Sequence, residues 1–302
     1  FNLTKIRNLN AKLIKQINNN KNNKKVVSIL HGAGVAGLCP CACAQMITEG
    51  VISGLYNFDK YKSEKKEINI KEFIIAEIDE KKYKEAKKGV ERGLIVGESV
   101  NTARNLINES SQYLYPETLA DYAVQSSGVK TTVYNKAQIK KMGMNAFLAV
   151  GQGSIHEPKL IHMEYKPEKK AKKKIAIIGK GITFDAGGLD LKPASSMLTM
   201  RDDMSGAAAV ITTMQAISKI KPDVEVHAII AACENMPSGT SYKPGDILTA
   251  KNGKTIEVDN TDAEGIITRK ASRIHPDTGV DLETLVVPHF EKLMEMTKEI
   301  SA

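Results

Sequence analysis

The alternation of apolar and polar positions changes period repeatedly along the chain. Lys25 to Leu30 and Ile68 to Ile78 read as strands. Between them, Cys41 to Tyr56 reads as a helix. Asp79 to Asn108 has long helical character, with Ala, Lys, Glu and Leu throughout and Gly93 and Gly97 inside. Pro116 opens a further helix whose Leu119, Ala120 and Ala123 share a face. Thr131 to Tyr134 predicts a strand and Lys136 to Met142 a helix, followed by an apolar region at Ala146 to Val150. Strands at Lys174 to Gly179 and Val224 to Ala231 flank a helix at Ser205 to Ile220. That β–α–β order implies a largely parallel sheet. Ile247 to Val258 reads as a hairpin with Asn252-Gly253 at its turn. Residues through Lys25 are rich in Asn and Lys and are expected to be loosely ordered.

These elements divide the chain into an α/β N-terminal domain over 1–82, a linking helix over 83–108 and a larger domain over 109–302. A length of 302 residues allows two cores. Residues 26–48 carry no formal charge. The run starts too late for a signal peptide, and His31, Pro40 and several glycines make it a poor spanning helix. A buried strand, a glycine turn and a buried helix account for it, so no membrane partner is expected. The chain opens on Phe1, not Met, and the N-terminal domain is expected to be incomplete.

Net charge is +8, much of it in lysine runs such as Lys166 to Lys174 and Lys21 to Lys25. Such runs attract nucleic acid. No aromatic side chains interleave them, which favours solvated loops over a nucleic-acid partner. Cys39, Cys41 and Cys43 crowd together without a second ligand pair nearby in sequence. Buried free thiols in a reducing, cytoplasmic compartment are the expectation.

The chemistry gathers around Lys180-Gly-Ile-Thr-Phe-Asp185-Ala-Gly-Gly-Leu-Asp-Leu-Lys192. An apolar run, Ile175 to Ile178, precedes it, so it reads as a buried strand emerging into a glycine-rich loop. Asp203 follows in Met200-Arg-Asp-Asp-Met, then Asp262 and Glu264 in Asn260-Thr-Asp-Ala-Glu-Gly. Four carboxylates and two lysines thus fall on short loops of one α/β region. Carboxylate oxygens suit divalent cations, and two adjacent cations need bridging carboxylates to offset their repulsion. Lysine ligates only as a neutral amine, a form that a nearby dication favours. A second lysine that stays charged would stabilise a developing oxyanion. Taken singly, each of these residues is most often a solvated surface charge. The ordered set carries the argument.

That set resembles the leucine aminopeptidase family, the dinuclear cytosolic exopeptidases. The resemblance runs through Gly179-Lys-Gly-Ile-Thr-Phe-Asp-Ala-Gly-Gly, Lys192-Pro, Met200-Arg-Asp-Asp-Met-Ser-Gly-Ala-Ala and Asn260-Thr-Asp-Ala-Glu-Gly265. It extends upstream to Tyr56-Asn-Phe-Asp-Lys-Tyr-Lys62, Ala103-Arg-Asn-Leu-Ile-Asn108 and Met142 to Gly153. It implies a three-layer catalytic domain with a mostly parallel central sheet, beside a smaller, incomplete α/β domain. It implies two divalent ions per subunit, zinc or manganese, held by Lys180, Asp185, Asp203, Asp262 and Glu264. Asp185 and Glu264 would bridge the ions. Lys192 would be the electrophilic lysine. Met200 and Asn260 would bind substrate, Met200 by lining the pocket for its first side chain. The implied activity releases N-terminal residues, preferably Leu-like, from short peptides, and the implied assembly is a homo-oligomer, a hexamer.

One departure bears on this. The family places Arg at position 266, where it holds a bicarbonate ion that relays a proton; here the residue is Ile266, and Arg269 lies further along. After Gly265 the resemblance fades, although Val280-Asp-Leu-Glu-Thr-Leu285 is similar to a later family strand. Residues 286–302 read as an amphipathic helix, and the catalytic sheet is expected to be truncated. Three readings follow: a metal-dependent aminopeptidase, a catalytically silent relative, and a nucleic-acid-binding protein resting on charge alone.

Overall fold

The structure is a computed structural model that describes residues 2–126, 128–171 and 173–264. Ile266, Arg269, the strand expected at 280–285 and the helix expected at 286–302 lie outside the described residues. The chain forms two compact units. One holds residues through Asn108 together with Gln215–Lys221; the other holds Glu109–Met214 and the chain from Pro222.

The first unit begins with helix α1 (Leu3–Asn18), where loose order was expected. Asn2 caps it, its side chain accepting from Lys5 N at 2.9 Å. Ile6, Asn10, Ile14 and Asn18 follow at helical spacing and are buried. The asparagines, taken as a sign of disorder, serve as tertiary hydrogen-bonders. The Asn18 side-chain oxygen accepts from Asn69 N at 2.8 Å, and its backbone oxygen accepts from Asn69 Nδ2 at 2.8 Å. Strand β1 (Lys25–Ile29) leads by a turn into α2 (Pro40–Gly54) and then β2 (Glu72–Ala76), which pairs parallel with β1. Strand β2 is shorter than its apolar run suggested.

The long helix α3 (Glu80–Asn108) packs along α2. Gly89, Gly93 and Gly97, one helical turn apart, bring the two backbones together. A Cβ at Gly93 would stand 2.8 Å from Thr48 Cβ, and one at Gly97 2.8 Å from Ile52 Cδ1. Of the clustered thiols only Cys43 is buried; Cys39 is exposed and Cys41 half-buried. Cys39 instead caps α2, its Sγ accepting from Ala42 N at 3.3 Å.

In the second unit, α4 (Pro116–Ser126) precedes β3 (Lys130–Tyr134), α5 (Lys136–Lys141) and α6 (Asn145–Val150). Strand β4 (Lys159–Tyr165) comes next, then β5 (Lys174–Asp185), the short α7 (Ala194–Met197) and α8 (Ser205–Ile220), whose residues from Gln215 on are assigned to the first unit. Strand β6 (Glu225–Asn235) and the hairpin β7 (Ile247–Thr249)–β8 (Thr255–Glu257) complete the described chain. The central sheet has the order β3-β4-β6-β5. Strands β5 and β6 run parallel, joined across α8. Strand β4, which the residue pattern did not reveal, is antiparallel to β6 and to β3. Every residue of β6 is buried. On one face Leu160, Ile182, Ile229 and Cys233 pack with Phe147 and Tyr242. A Cβ at Gly179 would stand 2.8 Å from Gly206 O and 2.9 Å from Ala207 Cα, so glycine lets β5 approach α8. No helix among the described residues is long and apolar enough to cross a membrane.

Candidate metal centre

Strand β5 runs on past Ile178 to Asp185, with a register irregularity between Ile182 and Asp185. Lys180 and Asp185 therefore stand on the strand itself, where loops were expected. This firms their placement, because both are fixed by pairing with β6. The turn after β5 uses Gly187 (φ 87°) and Gly188 (φ 69°), a backbone region that penalises side chains. It brings Lys192 back: its backbone N donates to Ala186 O at 3.0 Å. Asp203 follows the 3-10 turn Met200–Asp202, which packs against β5.

These segments bring six predicted residues together. Carboxylate oxygens of Asp185, Asp203 and Glu264 lie within 4.8 Å of one another. Lys180 Nζ stands 2.9 Å from Asp203 Oδ2 and 2.6 Å from Glu264 Oε1. Lys192 Nζ stands 3.1 Å from Asp185 Oδ2 and touches Asp262 Oδ1. Asp185 and Glu264 are buried; Asp203 and Asp262 are half-buried. Met200 sits half-buried on its turn. Asn260 is exposed, and its side-chain oxygen accepts from Asp262 N at 2.6 Å, which shapes the turn carrying Asp262.

Four carboxylates against two lysines leave excess negative charge in a poorly solvated place. Burial, reinforced by Asp185 and Glu264 and opposed by Lys180, pushes the Asp203 carboxyl up to about 7. Burial likewise raises Glu264, with Asp185 adding to it and Lys180 opposing. Burial alone would lower both lysines, but their carboxylate neighbours outweigh it and hold both ammonium groups above the ordinary lysine value. With only carboxylates around it Lys180 is thus a cation; a dication beside it would reverse that sign. Asp203 Oδ2 and Asp262 Oδ1 are buried, each touched by a lysine without the alignment of a hydrogen bond. Hard, closely grouped oxygen donors with this surplus of charge fit divalent cations.

A hydrogen-bond network that the residue pattern did not reveal fixes the donors. Asn235, fully buried at the end of β6, donates from Nδ2 to Asp185 Oδ1 at 2.9 Å and to Thr261 O at 3.0 Å. Tyr242 Oη donates to Thr261 O at 2.6 Å. Thr261 N donates to Asp190 Oδ2 at 2.7 Å, and Thr261 Oγ1 to Gly187 O at 2.7 Å. The one signal for Asn235 was its place: a polar residue closing an apolar strand, at the carboxyl end where α/β sheets bind ligands.

Known proteins place this arrangement. The profile described as cytosol aminopeptidase family, catalytic domain, matches residues 101–285. A probable cytosol aminopeptidase of Aquifex aeolicus is 45% identical over 92% of this chain and 56% of its own length. One of Persephonella marina is 50% identical over 80% of this chain and 50% of its own. The chain spans about half the length of the curated relatives it matches. Among solved structures, a bottromycin maturation enzyme, BotP, in complex with Mn superposes with a TM-score of 0.79 at 29% identity. That match covers 92% of this chain and 59% of the other. The profile match takes in more than half of the chain and includes every residue of the carboxylate–lysine centre, so the protein belongs to the cytosol aminopeptidase family.

Proposed function

We propose that the protein is a metal-dependent aminopeptidase that releases N-terminal residues, preferably Leu-like, from short peptides. The observation that carries this reading is the convergence of Asp185, at the end of β5, with Asp203 and Glu264, the last two against Lys180. Lys180, Asp185, Asp203, Asp262 and Glu264 would hold two divalent ions, and the resemblance supports Asp185 and Glu264 as the ligands the ions would share. Bound there, the ions would act as Lewis acids that polarise the scissile carbonyl. The metal of the BotP structure and the predominance of carboxylate oxygens, four donors beside the one Lys180 nitrogen, both support manganese, with zinc as the alternative.

Lys192 has a separate task. Its ammonium is held in place by Asp185 and Asp262, mostly shielded from water. That ammonium would donate to charge that develops on the carbonyl oxygen. Met200, on the turn beside β5, supports a role in receiving the first side chain of the substrate, and Asn260 one in binding substrate at the Asp262 turn. The relatives' names support a cytosolic setting, and the resemblance supports a homo-oligomer, a hexamer.

The experiment compares leucine amide and short peptides with their N-acetylated forms, with and without Mn²⁺ or Zn²⁺. Cleavage that requires both the metal and the free amine is expected. Equal cleavage of the acetylated forms would refute an aminopeptidase. One residue favours a second reading, a silent relative: Ile266 stands where the family carries Arg. No turnover in a folded chain loaded with metal would support it.

A further inference from the structure

The other end of the same sheet carries a second polar cluster, away from the carboxylate centre. His227 lies eight residues before Asn235 on β6, roughly 26 Å of strand. Glu164 on β4 is directly opposite His227, and His162 shares its face two residues along. Both imidazoles are buried. His162 Nε2 and His227 Nδ1 are 3.0 Å apart, in rings inclined by only 17°. Glu164 Oε2 lies 3.9 Å from His227 Nδ1. One donor atom from each of the three residues falls within 4.8 Å of the other two.

The surroundings orient this set. Glu225 Oε1 is 2.9 Å from His227 Nε2, so that nitrogen is the donor, and in the neutral ring Nδ1 keeps its lone pair. A carboxylate behind a histidine is the usual support of a metal-binding imidazole. Lysines anchor both carboxylates from outside. Lys166 at 3.2 Å and Lys130 at 3.7 Å hold Glu164 by Oε1, which leaves Oε2 turned to the histidines. Lys174 stands 3.3 Å from Glu225 Oε1. Partial burial works the other way, yet Lys166 and Lys130 hold the Glu164 carboxyl below its ordinary value. The same balance, through His227 and Lys174, lowers Glu225. Two carboxylates beside the imidazoles thus supply negative charge that can offset a cation.

We propose that His162, Glu164 and His227 form a second cation site, for a zinc-like transition metal, separate from the carboxylate centre. Two nitrogens on one tetrahedral zinc ion, each at ~2.0–2.1 Å, stand about 3.3 Å apart. The observed pair needs to open by only a few tenths of an ångström. Binding requires His162 to carry its proton on Nδ1 and to present Nε2. Imidazole nitrogen selects zinc over manganese or magnesium, which prefer oxygen. The bland alternative is a pair of core histidines that share a proton and bind nothing.

The test is a zinc chloride titration of the full chain, followed by the histidine ring signals in ¹H–¹⁵N NMR spectra. The carboxylate centre contains no histidine, and zinc held by Cys39 or Cys41 leaves the imidazoles untouched, so ring shifts report this site. Two ring signals should move together, one of them missing in His162→Gln and the other in His227→Gln. Glu225→Gln should keep both signals and weaken zinc binding about 10–100-fold. If the histidine variants do not fold, replacing His31, His156, His275 and His289 one at a time identifies the other rings by elimination. Signals of His162 and His227 that stay fixed under excess zinc, or shifts confined to the other four rings, would overturn the proposal.

Discussion

Asn235 offers the sharpest test of how the carboxylate centre is built. It is fully buried and spends both side-chain N–H groups on the site, one on Asp185 and one on Thr261 O. A hydrogen bond to a charged group contributes roughly 1.5–3 kcal/mol and one to a neutral carbonyl roughly 0.5–1.5. Asp185 Oδ1 keeps the Gly187 N–H at 2.9 Å, and Thr261 O keeps Tyr242 Oη, so neither acceptor is abandoned. Asn235→Ala should therefore cost about 2–4 kcal/mol in urea unfolding of the metal-stripped protein. Manganese affinity, measured by titration calorimetry, should fall about 10–100-fold, as when an outer partner of a ligand is lost. Asn235→Asp separates shape from chemistry. It keeps the volume, removes both donors and sets a carboxylate against Asp185, so its own carboxyl is raised. A raised acid is fully penalised above its folded pKa and not at all below its unfolded one. The Asp variant should thus be worse than Ala at pH 8 and recover as the pH falls. Wild-type stability and manganese affinity in both variants would refute the idea that this side chain positions Asp185.

Further outcomes follow from the same geometry. Lys180→Ala should lower metal occupancy, whereas Lys192→Ala should retain metal and lower turnover, because it acts on developing charge; equal metal loss in both would refute that division. Stripped of metal, the protein should lose stability between pH 4 and about pH 7, since folded Asp203 keeps its proton up to about 7 and unfolded Asp203 releases it near 3.8. Thermal melts across that range, with and without Mn²⁺, check the sign, and a stability that rises through it would contradict the burial argument. Ile266 offers no donor for an anion. Ile266→Arg should therefore raise turnover of leucine amide, up to the ~10²–10⁴-fold typical of a proton relay. No gain in a folded, metal-loaded variant would show that the missing guanidinium does not limit catalysis.

What the residues revealed follows local physics. The run Ile175 to Ile178, the glycines after Asp185 and the Asn252-Gly253 turn each carry their signal within a few positions, and β5, its loop and the hairpin follow them. Helix α8 was legible because Gly206 to Ala209 mark a close-packed first turn. Strand β4 was not, because its buried face includes His162 and Glu164, which read as solvent-facing until the partners on β6 are known. Helix α1 hid behind Asn and Lys composition; its order depends on Asn18 meeting Asn69, 51 residues away. At the metal centre the charged donors stood out as a set. Asn235 and Tyr242 did not, since their roles exist only once β6 and the Thr261 loop are brought together.

The central claim is that Asp185, Asp203, Asp262, Glu264 and Lys180 form a two-metal centre. Manganese counts it selectively, because the histidine cluster prefers zinc. Mass spectrometry of the reconstituted chain should find about two Mn²⁺ ions bound. Asp185→Ala and Glu264→Ala, shown folded by circular dichroism, should each bind clearly fewer. Less than about one ion in the folded wild-type chain, or an unchanged count in both variants, would contradict the account.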